Sequence, residues 1–162
     1  MSIAMSDAAK TILTAYLVLA AVWDLRTRRV PNWLTLPLLA GVLLWRLAQL
    51  DFTFVLYWCA CLVAWLVNSL GGGDVKLLMA LFGLFPQVEL FYLLLIVAGA
   101  GIGVVLFLRY ARARSLGAWF RRLVYRLSRL DLFPSRSEME AEAEPFTLFI
   151  SLAGIAYVWV FA

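Results

Sequence analysis

Residues 67–85 read VNSLGGGDVKLLMALFGLF. Three glycines in a row, Gly71, Gly72 and Gly73, lead into Asp74. Lys76 follows, and then an apolar run that ends at Phe85, just before Pro86. A carboxylate in so apolar a region is costly, and an intramembrane acid invites a functional reading by default. The run 75–85 has 11 residues, under ~20 Å as a helix against a bilayer core of ~30 Å. Either this helix begins below the membrane surface or the membrane is thinned around it. In the first case Asp74 lies in a recess that water reaches, the setting in which irregular backbone such as the glycine run is tolerated at depth.

The rest of the chain agrees with a membrane setting. Of its 162 residues, 65% are hydrophobic, and the mean hydropathy is +0.92. Soluble domains are about 45–50% apolar. The length permits a single domain, 1–162, of at most about six or seven spans. There is no histidine, which removes histidine-dependent zinc sites and the usual Ser-His and Cys-His nucleophile pairs. Cys59 and Cys61 stand two apart in an apolar run, and helix positions i and i+2 do not face each other. They read as small apolar fillers, with no disulfide, metal site or cofactor implied.

Apolar segments cover 11–23, 34–50, 52–70, 75–85, 87–108 and 146–162. Cytoplasmic loops collect Lys and Arg. With the N-terminus outside, the inner stretches hold Arg26, Arg28, Arg29, Lys76 and eight arginines from Arg109 to Arg136, which is 12 of the 14 basic residues. Only Lys10 and Arg46 fall on the outer half. The expected architecture is therefore an all-α membrane protein with six transmembrane helices, multi-pass in the cytoplasmic (inner) membrane, both termini outside. The cytoplasmic loop 109–145 holds an amphipathic stretch at 116–130. Leu116, Trp119, Phe120, Leu123, Val124, Leu127 and Leu130 share one side, and Arg121, Arg122, Arg126 and Arg129 the other. This reads as an interfacial helix on anionic lipid, not as a nucleic-acid binder, because its second face is so apolar. Pro145 opens the last span. In span five, Gly99 and Gly103 have the GxxxG spacing and read as a helix-packing contact.

Of ten acidic residues, eight fall in loops or termini as solvated charges, Asp51 among them. Asp24 ends span one and Asp74 begins span four, both at the inner face. Each has a structural reading: Asp74 as a helix N-cap, Asp24 as an anchor paired with Arg26 or Arg28. Together they offer another, in which the first and fourth spans lean against each other and their carboxyls share a wet pocket. Two carboxyls brought close cannot easily both ionise, so one keeps a proton while its partner is a base. Such a pair activates water and protonates a scissile amide with no metal and no nucleophilic side chain. The glycines clear space beside the working carboxylate, for a facing helix or an extended substrate backbone.

At these residues the chain resembles a known family. GGGDVKLL (71–78) looks like the GxGDxKL element of prepilin and preflagellin peptidases, the GxGD membrane aspartic proteases of type IV pilus systems. WDLRTRRVPNWLTLP (23–37) resembles that family's first-aspartate segment, and EPFTLFISLAG (144–154) is a looser echo of its closing helix. The resemblance implies that Asp24 and Asp74 are the catalytic pair. Gly71, Gly73 and Lys76 would support the motif, with the role of Lys76 open between site support and lipid contact. Pro31 and Asn32 would turn the chain into span two. The implied reaction is removal of the short basic leader of a pilin-like precursor at the cytoplasmic face, and the precursor is the expected partner. Glu138, Glu140, Glu142 and Glu144 read as a solvated loop or as an attractor for that leader. Bifunctional relatives also methylate the new N-terminus and carry a four-cysteine zinc insertion, which this chain lacks, so a short, peptidase-only form is expected. Two rival readings are a presenilin-like intramembrane protease, against which stand Trp23 before the first acid and the lack of a Pro-Ala-Leu element, and a non-enzymatic membrane subunit whose acids cap helices or relay protons.

Overall fold

The computed structural model describes residues 5–28, 30–67, 70–113 and 146–162. Among these there are six helices and no strands: α1 (Asp7–Thr27), α2 (Asn32–Ala48), α3 (Val55–Leu66), α4 (Gly72–Leu84), α5 (Val88–Ala113) and α6 (Phe146–Val160). The all-α expectation holds. One of them, α1, with 21 residues, is long and apolar enough to cross a bilayer unaided; α2, α3 and α6 are apolar but shorter. The interfacial helix expected at 116–130 and the acidic run after it lie outside the described residues. So does Pro145. Span five was read as ending at residue 108, but α5 runs on to Ala113.

Local chemistry accounts for the helix ends. Ser6 caps α1 by accepting the Ala9 N–H at 3.3 Å. Asp7 in the first turn and Arg26 in the last complement the helix dipole. At the far end Arg28 takes a left-handed conformation, φ 52°, and its N–H bonds Asp24 O at 2.7 Å. Pro31 is the extended residue before α2, so the expected Pro-Asn entry is where the sequence placed it. No glycine described here has a positive φ. The triple glycine therefore supplies room, not an unusual backbone conformation.

The packing order differs from the expectation that the first and fourth helices lean directly on each other. α6 stands between them: α1 and α5 pack on α6, α6 packs on α4, and α4 packs on α2 and α3. Gly154 makes this possible. A Cβ there would lie 3.0 Å from Leu17 Cδ1 of α1 and 3.2 Å from Leu81 Cδ1 of α4. The GxxxG reading is corrected in the same way. A Cβ at Gly99 or Gly103 would meet nothing within 4 Å, whereas one at Gly101 would overlap Phe149 of α6 at 2.1 Å. Spacing alone does not decide which glycine faces the neighbour; the face of α5 turned to α6 does.

α4 is the core helix. Its buried residues run without a break from Leu77 to Gly83, the mark of a helix apolar all round. At 13 residues it is about 20 Å long, and protein covers its C-terminal end. There Arg46 of α2, only 4% exposed, donates from Nε to Gly83 O at 2.6 Å and from Nη2 to Leu84 O at 2.9 Å. These are last-turn carbonyls that have no partner inside the helix. Arg46 is also ion-paired with Asp51, so Asp51 is not the free solvated charge the sequence pointed to. Tyr16 of α1 donates to Leu34 O at 2.7 Å, and Trp58 of α3 to Met79 O at 2.7 Å. Large apolar side chains cover the outside: Ile12, Leu44, Leu56, Leu66, Ile96 and Val160 are each at least 67% exposed.

Candidate active site

Asp24 belongs to the buried stripe of α1, which runs Leu13, Leu17, Ala20, Ala21, Asp24. That periodicity, not a special turn, carries the carboxyl into the core, where the residue is 6% exposed. No ion pair among the described residues involves Asp24, and the anchor reading with Arg26 or Arg28 finds no support.

Asp74 is not the N-cap of α4. Gly71 is, with no side-chain cap bond, and Asp74 stands in the first turn. From there its carboxylate reaches back toward the Gly71 N–H, the contact an acid at the third helical position makes in a capping box. Gly71 is what gives it room: a Cβ there would lie 3.0 Å from Asp74 Oδ2.

The two acids meet over a residue that the sequence reading did not single out. Thr147, in the first turn of α6 and fully buried, donates its hydroxyl to Asp74 Oδ1 at 2.5 Å. Asp24 faces the same threonine, toward both its hydroxyl and its backbone N–H. The carboxyls of Asp24 and Asp74 are near enough to interact electrostatically. The C-terminal end of α1 and the N-terminal end of α4 thus meet at Thr147 of α6. One signal was available. Thr147 and Ser151 are hydroxyl residues one turn apart in an otherwise apolar helix, and both are buried.

The remaining motif residues hold the junction between α1, α2 and α4. A Cβ at Gly73 would lie 3.0 Å from Val30 Cβ and 3.4 Å from Val30 N, so the segment entering α2 rests directly on the start of α4. Lys76 Nζ donates to Asn32 Oδ1 at 2.6 Å and ties the same two elements. Lys76 thereby has a structural partner, which favours site support over lipid contact. Gly72 is less constrained, since its Cβ would stand 3.7 Å from Trp65 Nε1, an ordinary contact. Among the described residues no cluster of His, Cys, Asp and Glu is placed to hold a metal.

Comparison with known proteins returns a family match. The family model described as the type IV leader peptidase family aligns with residues 11–108. No curated protein and no solved structure matched. The aligned region takes in both aspartates, the Pro31-Asn32 turn and the whole glycine motif, over more than half of the 162 residues. A match of that extent, on the segments that build the paired-acid junction, makes this chain a peptidase and a member of the type IV leader peptidase family.

Proposed function

We propose that the protein is a membrane-embedded aspartic endopeptidase that removes the short basic leader of a type IV pilin-like precursor at the cytoplasmic face. The observation that carries the reading is the convergence of Asp24 and Asp74 on Thr147. Two acids from different helices share one small polar site in an otherwise apolar interior. Membership in a leader-peptidase family supports that substrate class.

The chemistry uses one proton on the pair. The charged carboxylate takes a proton from water as its oxygen attacks the scissile carbonyl, and the protonated partner gives its proton to the carbonyl oxygen. In the collapse of the resulting diol the first acid protonates the leaving nitrogen, the C–N bond breaks, and a diol proton returns to the second acid. The pair ends as it began, and no step needs a metal, a cofactor or a nucleophilic side chain.

The setting we propose is six passes through the cytoplasmic membrane with both termini outside. Charge distribution supports it, as do the exposed apolar faces of the helices. Short helices such as α4 sit inside the bundle and need not span the bilayer alone. We also propose anionic lipid as a partner at the inner surface, no nucleic-acid role, and no methyltransferase activity.

The test uses the purified full chain in vesicles with a precursor that has a basic leader followed by an apolar helix. The intact protein is expected to release the leader, seen by mass spectrometry as a single new N-terminus. Asp24→Asn and Asp74→Asn should fold and fail, each slower by at least about 10²-fold. Cleavage retained in either variant refutes the proposal.

A further inference from the structure

We infer that Thr147 is the positioning residue of the acid pair: its hydroxyl holds Asp74 in place beside Asp24 so that the two carboxyls share one proton. The inference rests on the peptidase reading above.

A hydroxyl has one proton to donate and two lone pairs to accept with. Here the proton goes to Asp74 Oδ1. What the hydroxyl then presents to Asp24 is lone-pair density. A charged Asp24 would face that density without a proton between them, whereas a protonated Asp24 donates to it. The Thr147 N–H also faces Asp24 and gives one of its oxygens a donor. With the hydroxyl in this orientation each group has a partner when the pair carries one proton, held by Asp24, with the charge on Asp74.

The helix ends favour the same arrangement. Asp74 lies in the first turn of α4, where the helix dipole welcomes negative charge, and Asp24 in the last turn of α1, where it does not. Asp74 Oδ2 lies toward Gly71, so one carboxylate oxygen is held by Thr147 and the other by the start of its own helix. The helix ends thus favour Asp74 as the base that takes the water proton and Asp24 as the acid that serves the carbonyl oxygen. When the proton has moved to Asp74, rotation of the Thr147 hydroxyl lets it donate to Asp24 and accept from Asp74. No bond of the threonine itself is broken.

Full-length Thr147→Val and Thr147→Ser are compared with the unaltered chain in vesicles, using the same leader-bearing precursor. Valine keeps the shape and removes the hydroxyl; serine keeps the hydroxyl. Losing one hydrogen bond to a charged group predicts a fall in kcat of about ten- to a hundred-fold for valine, with KM within about twofold. Serine should stay within about threefold of the unaltered rate, and both variants should melt near the unaltered temperature. If valine prevents folding, Thr147→Ala takes its place with the same expectations. Valine or alanine cleaving at the unaltered rate overturns the inference while the peptidase reading stands, and so does serine as slow as valine. An unaltered chain that does not cleave overturns the peptidase reading, and this inference with it.

Discussion

The three glycines before Asp74 are not equivalent, and replacing each with alanine should give three different results. At Gly73 the new methyl would sit 3.0 Å from Val30 Cβ, against a comfortable carbon–carbon separation of about 3.5–4.0 Å. It would also crowd Val30 N at 3.4 Å, and backbone cannot swing aside as a side-chain tip can. Overpacking of this kind costs about 1–3 kcal/mol, offset by up to about 1 kcal/mol from replacing glycine in a helix. Gly73→Ala should therefore lower stability by about 0–3 kcal/mol, and it should slow cleavage as the α2 entry shifts off α4. At Gly71 the clash is with Asp74 Oδ2 at 3.0 Å, the end of a side chain that can turn. Stability should hardly change, but the carboxylate would leave its place over Thr147. A loss of about 1.4 kcal/mol of transition-state stabilisation is about tenfold in rate, which is the size of effect expected. At Gly72 the nearest atom is 3.7 Å away, so Gly72→Ala should be neutral in rate and neutral or better in stability. The assays are precursor cleavage in vesicles and thermal unfolding followed by tryptophan fluorescence. Gly72→Ala as damaging as Gly71→Ala or Gly73→Ala would refute the steric reasoning, and so would three neutral variants.

Arg46→Met should lower stability by about 2–4 kcal/mol, because two last-turn carbonyls of α4, Gly83 O and Leu84 O, lose their donor; thermal unfolding checks this, and the folded fraction should still cleave. Asp51 should make stability fall in acid. The backbone N–H and hydroxyl of Thr53, with a smaller contribution from Arg46, hold its carboxyl below the ordinary carboxylate range. A group whose folded value is depressed stabilises the protein above its unfolded value, about 4, and loses that contribution as pH falls through the folded one. The melting temperature of the unaltered chain should thus drop more steeply below about pH 4 than that of Asp51→Asn, and parallel curves would contradict this.

Some of this was legible in the sequence for a physical reason. A carboxylate in an apolar helix has so few uses that Asp24 and Asp74 stood out, and the Pro31-Asn32 entry into α2 follows from proline's restricted backbone. Thr147 did not stand out, because a hydroxyl in an apolar helix ordinarily satisfies itself on the carbonyl four residues back. Only the folded chain shows that it serves two residues more than 70 positions away in sequence. Arg46 looked like a charge on the outer half with no partner to name, because its acceptors, 37 and 38 residues on, belong to a helix end that periodicity cannot locate. The GxxxG spacing pointed to Gly99 and Gly103, when the contact falls on Gly101. A repeat of four identifies a face without saying what that face meets. Direct contact between α1 and α4 was the natural inference from two acids at one level, and it missed the intervening helix that Gly154 thins enough to admit both neighbours.

The central claim is that Asp24 and Asp74 act as one unit across Thr147. The measurement that tests it most directly is the cleavage rate of Asp24→Asn, Asp74→Asn and the double variant, each shown to be folded, on the same precursor. Residues that act together are strongly non-additive. The account predicts that the double variant is no slower than the slower single one. A double variant whose loss equals the product of the two single losses would mean that the acids act independently, and it would contradict the account.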